Sequence, residues 1–349
     1  INMELFGRKK IHAFGLEISN SSIKAVQLAA GRSGITAQGF GSAALPDKVI
    51  NNNLIASTSR LAENILRVLG RARGIDTKYV VCSIPEAKSF VRTISLPKMA
   101  ESEIDGAIPY ELEQDIPIPV DQVYLDWQLL RESGDKLELL VMAAPKDYVD
   151  ALAESLTAAK LVPVAMELES LAAARALMQP TDTQPVLIAD VGTLQTSFVI
   201  ADKGIVEYTS SVPVAGNAFT ESIARNLGVN KAEAEKLKIT AGLTAEDKKG
   251  QVRPAIVPIL DNMIDEIKNV IRFFEEHDAQ HRQIQKILLC GGSALLLGMS
   301  DYMAARINLG STSAITVSLG HPAATIGTES LAYNTAIGLA LRGLSYEAD

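Results

Sequence analysis

Residues 14–28, FGLEISNSSIKAVQL, and 187–199, LIADVGTLQTSFV, share a cadence that suggests chemistry. In each, an apolar run reaches a carboxylate, Glu17 or Asp190, turns through small residues and enters a second apolar run. Consecutive backbone N–H groups in such a turn can face a phosphate as a nest does. A carboxylate cannot bind the phosphate itself, since like charges repel, but it can hold Mg²⁺ or the waters around it. One such hairpin is an ordinary tight turn, where Gly and Asp are favoured anyway. Two of them, half a chain apart, are expected to face each other across a cleft and grip a polyphosphate from both sides.

Weaker signals accompany the pair. CGGSALLLGM (290–299) puts Gly291 and Gly292 between a strand and a helix-like segment, where glycine permits close backbone approach to a base or ribose. AEKLK (234–238) sets Glu235 and Lys238 three apart on one helical face, a spacing also met in solvated ion pairs. His277 and His281 stand four apart on an expected helix, a spacing that can bind zinc, yet no third ligand is visible and a solvated face is the better reading. Trp127 reads as a core or interlobe residue, and YELEQD (110–115) as an acidic helical face.

The elements around these residues follow from periodicity. Helices are expected at 57–73, 101–114, 146–160, 168–178, 217–227, 231–240, 255–278 and 329–342, with Pro109 weakening the second. KYVVCSIP (78–85) is an almost wholly apolar strand, the mark of a sheet covered on both faces. Residues 86–160 read as a β-α-β-β-α unit inserted in a larger fold. The expected domains are a first lobe of 10–85 plus 161–180, the insertion at 86–160, and a second lobe of 181–349.

Composition removes several classes. The 349 residues carry 33 basic against 41 acidic side chains, a net charge of −8, which disfavours nucleic-acid binding. Cys82 and Cys290 lie in apolar runs and form no CxxC, as expected of core thiols in a reducing compartment. No apolar run is long enough to span a bilayer, so a cytoplasmic protein is expected. The basic start, with Phe6, Arg8, Lys9 and Lys10, has the composition to touch an anionic surface, though a frayed end is the commoner case.

In order along the chain, the two hairpins, VAGNAF with Gly216, ExxK, GGS and an Ala/Gly-rich closing helix resemble the actin-like ATPases. That resemblance implies an α/β, ribonuclease H-like fold: two lobes around a nucleotide cleft, with an inserted small α+β subdomain. It implies ATP and Mg²⁺ as cofactors. Glu17, Asn20 and Ser21 match its first phosphate turn, and Asp190, Gly192 and Thr193 the second. Gly216 matches the turn that follows, Glu235 and Lys238 the ribose pair, and Gly291, Gly292 and Ser293 the adenosine loop. Glu17 and Asp190 would serve Mg²⁺ through water. Glu169, leading LESLAAARAL, matches the acid that positions attacking water.

IPYELEQDIPIPVDQVYLDWQLL (108–130), GLEI and SLPKM (95–99) are similar to the type IV pilus assembly protein PilM family. That narrower resemblance implies an ATP-binding component of the pilus alignment complex. It would receive the N-terminal cytoplasmic tail of a PilN-like membrane protein between the insertion and the first lobe. Contact with pilus motor ATPases and indirect recruitment to the inner-membrane face would follow.

Departures from the superfamily pattern are Ser19 where Gly is usual, Asn20 where a hydroxyl residue is usual, Glu17 for Asp, and Pro109. Serine forgoes the easy positive φ of glycine. The expectation is therefore ATP binding with weak or absent hydrolysis. Two alternatives share the scaffold. A small-molecule kinase would need a further carboxylate base. A polymerising cell-division actin would be expected to carry an amphipathic membrane helix, whereas this sequence closes LRGLSYEAD.

Overall fold

The computed structural model describes residues 12–344 except 33, 52–53, 113–117, 245–249, 279, 310–313 and 328. The basic start, the SYEAD close and part of the acidic stretch 110–115 therefore lie outside the described residues. The chain divides into two compact units: Ile1–Ala176 with Ala323–Gly327 and Thr335–Asp349, and Leu177–Pro322 with Thr328–Asn334.

The first unit opens with β1 (Phe14–Ile18), β2 (Ser22–Gly31), β3 (Gly34–Ala44) and the short pair β4 (Ile50–Asn51) and β5 (Leu54–Ile55). Helix α1 (Thr58–Arg71) follows, its start fixed by Ser57, whose hydroxyl accepts from the Arg60 N–H. Its buried Leu61, Ile65 and Val68 form one stripe against the sheet. Next come β6 (Tyr79–Ile84), β7 (Phe90–Pro97), α2 (Glu101–Leu112), β8 (Val123–Ser133), β9 (Lys136–Pro145), α3 (Lys146–Ala158), β10 (Val162–Leu168) and α4 (Glu169–Leu177). The main sheet runs β10-β6-β1-β2-β3, with β1 parallel to β6 and antiparallel to β2.

The second unit repeats that plan. Its strands are β11 (Val186–Val191), β12 (Thr196–Asp202), β13 (Ile205–Val212), β14 (Lys286–Cys290) and β15 (Thr316–Leu319), in the order β13-β12-β11-β14-β15. An antiparallel meander again gives way to parallel strands beyond its first member. Helices α5 (Gly216–Leu227), α6 (Lys231–Ala241), α7 (Val252–His277) and α8 (Met299–Ile307) complete it. The two hairpins singled out in the sequence are thus equivalent corners of a repeated sheet.

Three expectations change. The inserted region splits: β7, β9 and β8 form a three-stranded sheet that shares a core with α2 through Leu96, Ile108, Leu139 and their neighbours. Its expected last helix, α3, instead buries Tyr148, Leu152 and Leu156 in the main core of the first unit. The closing helix is a short 3₁₀ turn at Ser330–Tyr333 followed by α9 (Asn334–Leu344). Most of α9 packs in the first unit, although 181–349 was expected to form one lobe. Glycines explain the approach: a Cβ on Gly15 would lie 2.2 Å from the Ala336 carbonyl oxygen. Arg342 adds an ion pair to buried Glu167 at 3.1 Å, and Arg175 holds the same carboxylate with both of its terminal nitrogens.

His277 and His281 do not share a helix. His277 is the last residue of α7, its Nδ1 2.8 Å from the Phe273 carbonyl, and His281 lies beyond the end at φ 51°. No group of three metal-ligating side chains stands together among the described residues. Trp127 is half-buried against the three-stranded sheet's core, and its indole N–H donates to Asp105 at 2.7 Å. Cys82 and Cys290 are both fully buried, as expected, and burial pushes the Cys82 thiol up. No described helix is long and apolar enough to cross a membrane.

Candidate functional site

In the second unit the separate motifs meet. The turn between β11 and β12 is closed by Gly192, whose N–H donates to the Gln195 carbonyl at 3.0 Å. The Gly192 carbonyl accepts from the Ser293 hydroxyl at 2.7 Å and from the Gly216 N–H at 3.1 Å. The Thr193 carbonyl accepts from the Asn217 N–H at 2.8 Å. Hairpin and α5 start are therefore stitched together by their main chains, and the Ser293 hydroxyl ties the GGS segment to them. The two glycines here are required: a Cβ on Gly216 would lie 2.1 Å from Ser293 Oγ, and one on Gly291, at φ +83°, would lie 2.3 Å from Asp190 Oδ1. Gly292 is under no such pressure, with its nearest contact at 3.9 Å.

Beneath this corner lies the ExxK pair. Asn230 caps α6 by accepting from the Glu233 N–H, which orients Glu235 and Lys238 toward α5. Lys238 Nζ is 2.7 Å from Glu235 Oε2, 3.0 Å from Thr220 Oγ1 and 3.2 Å from the Gly216 carbonyl. Burial would raise the Glu235 carboxyl, but hydrogen bonds from Lys238 and Thr220 and the lysine charge outweigh it and hold it below the usual range.

In the first unit Glu17 is buried at the end of β1 and faces Lys24 directly across the strand pair, Nζ to Oε1 2.7 Å. Its other oxygen, Oε2, is buried with no hydrogen-bond partner. Such an acceptor fits a donor brought in from outside, a metal-bound water included. Ser19 is not among the residues with positive φ, so this turn is made without the positive φ that glycine would offer. Its hydroxyl caps the turn instead, accepting from Ser22 N–H at 3.1 Å and Ser21 N–H at 3.4 Å. Asn20 and Ser21 are half-buried at the turn's tip. Glu169 begins α4, half-buried, and its charge adds to burial in raising the Tyr148 phenol and the Cys82 thiol.

Sequence reasoning overlooked Lys24 and Thr220. Lys24 had a signal, an opposite charge placed symmetrically about a two-strand turn. Thr220 had none, because it acts through a turn of α5 brought beside α6. Also overlooked is a cavity of about 480 Å³ in the first unit, walled by Leu54, Lys88, Ile118, Pro145, Lys146 and Tyr148 among others. Its walls come from β5, the approach to β8, and the junction of β9 with α3.

Two repeated sheets of this strand order, with small-residue corners after β1 and β11, define an actin-like ATPase fold. Residues 15–344 match the family of type IV pilus assembly protein PilM, and the chain belongs to that family. Among solved structures, a PilM-PilN type IV pilus biogenesis complex is 25% identical, with a TM-score of 0.80 over 97% of this chain and 100% of that one. Ethanolamine utilization protein EutJ of Carboxydothermus hydrogenoformans is 15% identical, with a TM-score of 0.56 over 94% and 89%. MreB 5 of Spiroplasma citri, bound to AMPPNP, is 12% identical, with a TM-score of 0.55 over 94% of each chain.

Proposed function

We propose that this chain is a nucleotide-binding adaptor of type IV pilus assembly, holding the N-terminal cytoplasmic tail of a PilN-type membrane protein in the cavity beside β5. The observation that carries the reading is that cavity, within a chain so similar to a solved PilM-PilN complex. Leu54, Ile118 and Pro145 offer apolar anchors, while Lys88 and Lys146 stand among them. A short extended peptide binds such walls by placing alternate side chains in them. Holding the tail would keep the chain at the inner-membrane face.

The nucleotide half of the reading assigns Asp190, Gly192, Thr193, Gly216 and Ser293 to the phosphate corner and adenosine loop. Glu17, Asn20 and Ser21 take the corresponding role in the first unit. Mg²⁺ would be served through water by Glu17 and Asp190 and would offset phosphate charge. Lys24 already neutralises one oxygen of Glu17, which weakens its pull on a metal. The Ser19 hydroxyl likewise occupies N–H groups that a phosphate would otherwise take. Both features agree with binding accompanied by slow hydrolysis, and Glu169 is the residue assigned to any attacking water.

The partner assignment is tested by a photo-crosslinking amino acid at position 54, with position 66 on α1 as control, in cells that make the PilN-type partner. Capture at 54 and not at 66 is expected. Equal capture at both positions, or none at 54, would remove the cavity from the account.

A further inference from the structure

We infer that the edge of the first unit's main sheet on which β1, β6 and β10 begin is a docking surface for an anionic lipid bilayer. The choice of a bilayer rests on the adaptor reading above, which already holds the chain at a membrane face. The surface itself rests on where the first unit gathers its cations.

β1, β6 and β10 are parallel and so begin on one edge, Phe14 opposite Val80 and Val162 opposite Tyr79. Lys78 and Lys160 stand just ahead of β6 and β10, and the Val162 N–H donates to the Lys78 carbonyl at 2.9 Å. The end of α1 comes to the same edge. Gly74 lies so close to the Gln38 carbonyl that a Cβ on it would collide, and Gln38 shares Asp76 with Gln27 of β2. That contact puts Arg71 and Arg73 beside Lys78. β2 pairs with β1 only as far as Val26 but runs on to Gly31, which carries Arg32 past the edge. In sequence, Arg8, Lys9 and Lys10 come shortly before β1.

Arg32, Arg71, Arg73, Lys78 and Lys160 are all exposed, and among the described residues none of them is in an ion pair. Asp76, the carboxylate in this stretch, is occupied by the amides of Gln27 and Gln38. A chain of net charge −8 thus keeps a cationic edge. At physiological salt a charge is felt over about 8 Å, so distant carboxylates do not cancel that local field. Each cation near an anionic bilayer strengthens binding about fivefold. The five are spread over three connections and face no groove. A protein partner would need a matching acidic relief, whereas lipid headgroups move to wherever the cations are. Val162, 39% exposed between Lys78 and Lys160, adds an apolar contact at the headgroup level.

The edge also suits the tail. Pro145 to Tyr148 wall the cavity at the start of α3, and Lys160 follows that helix's end. With 13 residues in α3, the two places are about 20 Å apart. An extended tail covers that rise with about six residues. A bilayer against this edge therefore leaves the cavity within reach of a tail that emerges from the same bilayer.

The test is co-sedimentation of the full chain with vesicles, with no PilN-type peptide present. One set is phosphatidylglycerol and phosphatidylcholine in equal parts, the other phosphatidylcholine alone. A first triple variant joins Arg71→Glu, Arg73→Glu and Lys160→Glu. A second joins Lys136→Glu, Lys203→Glu and Lys236→Glu, which change the net charge equally at exposed positions elsewhere. Surface changes of this kind are expected to leave both variants melting with the parent. The parent and the second variant are expected to pellet with the anionic vesicles only, and the first variant to bind them at least tenfold more weakly. A parent that stays in solution, that binds both vesicles equally, or that loses as much from the second set of changes as from the first overturns the inference. Each of those results leaves the adaptor reading standing, since its own failure would appear in titration with the tail.

Discussion

Asp190 and Gly216 show what single residues contribute to the second unit's corner. Asp190 is packed so close to Gly291 that no side chain larger than hydrogen fits between them. Asp190→Ala is expected to weaken Mg-ATP binding at least tenfold with little change in melting temperature, and calorimetry beside a thermal melt checks both. Gly216→Ala would drive a methyl into Ser293 Oγ and displace that hydroxyl from the Gly192 carbonyl. It too should weaken ATP, and Ser293→Ala should relieve part of the loss, because the clashing atom is then gone. Asp76 gives a pH prediction. Hydrogen bonds from Gln27 and then Gln38 hold its carboxyl below the ordinary value of 3.8. A depressed folded-state pKa means that its contribution is complete above the unfolded pKa and is lost as pH falls through the folded one. An NMR titration of that carboxyl should therefore give a midpoint under 3.8, and Asp76→Asn should flatten the stability loss in that acid window. At this scale the sequence was legible where chemistry is local. Glu17, Asp190 and Gly192 could be read because a carboxylate, a turn glycine and an apolar strand are neighbours in the chain. The bond from Ser293 to Gly192 could not, since it joins residues 101 apart.

Elements were legible where a period repeats. The buried stripe of α1 follows from side-chain direction alone, and the buried run of β6 from an apolar segment covered on both faces. Allegiance between elements was harder. α3 looks like the end of the inserted unit because it follows β9 without a break, yet its apolar face completes the main core of the first unit. α9 follows the second unit's last strand and then packs by backbone against β1, where Gly15 removes the side chain that would prevent contact, and against α4, where Gly338 does the same beside Ala172. A pattern of apolar residues tells a helix that it must be covered, not by what. Gly15→Ala tests the packing, since its new Cβ would meet the Ala336 oxygen and the Ala340 nitrogen, both main-chain atoms that cannot turn aside. Overpacking of this kind costs about 1–3 kcal/mol or more. The expected result is a lower urea midpoint with unchanged slope. A midpoint equal to that of the parent would mean that α9 is held more loosely than the contacts imply.

At the scale of the whole molecule, two sheets of one topology provide two small-residue corners, and a three-stranded sheet is added to the first unit beside a walled cavity. The repeat was visible in the sequence only as a shared cadence at Glu17 and Asp190. The cavity was not visible at all, since its walls come from segments near residues 54, 88, 118 and 146. If nucleotide and tail bind the same chain with linkage, each must alter the other's affinity by the same factor. The most direct measurement is calorimetric titration of a synthetic PilN-type N-terminal tail into the full chain and into Leu54→Asp, a change at a half-exposed wall position. The expected result is one tail bound per chain, weakened at least tenfold by Leu54→Asp. An absence of binding to the parent chain, or equal affinity for both proteins, would contradict the adaptor account.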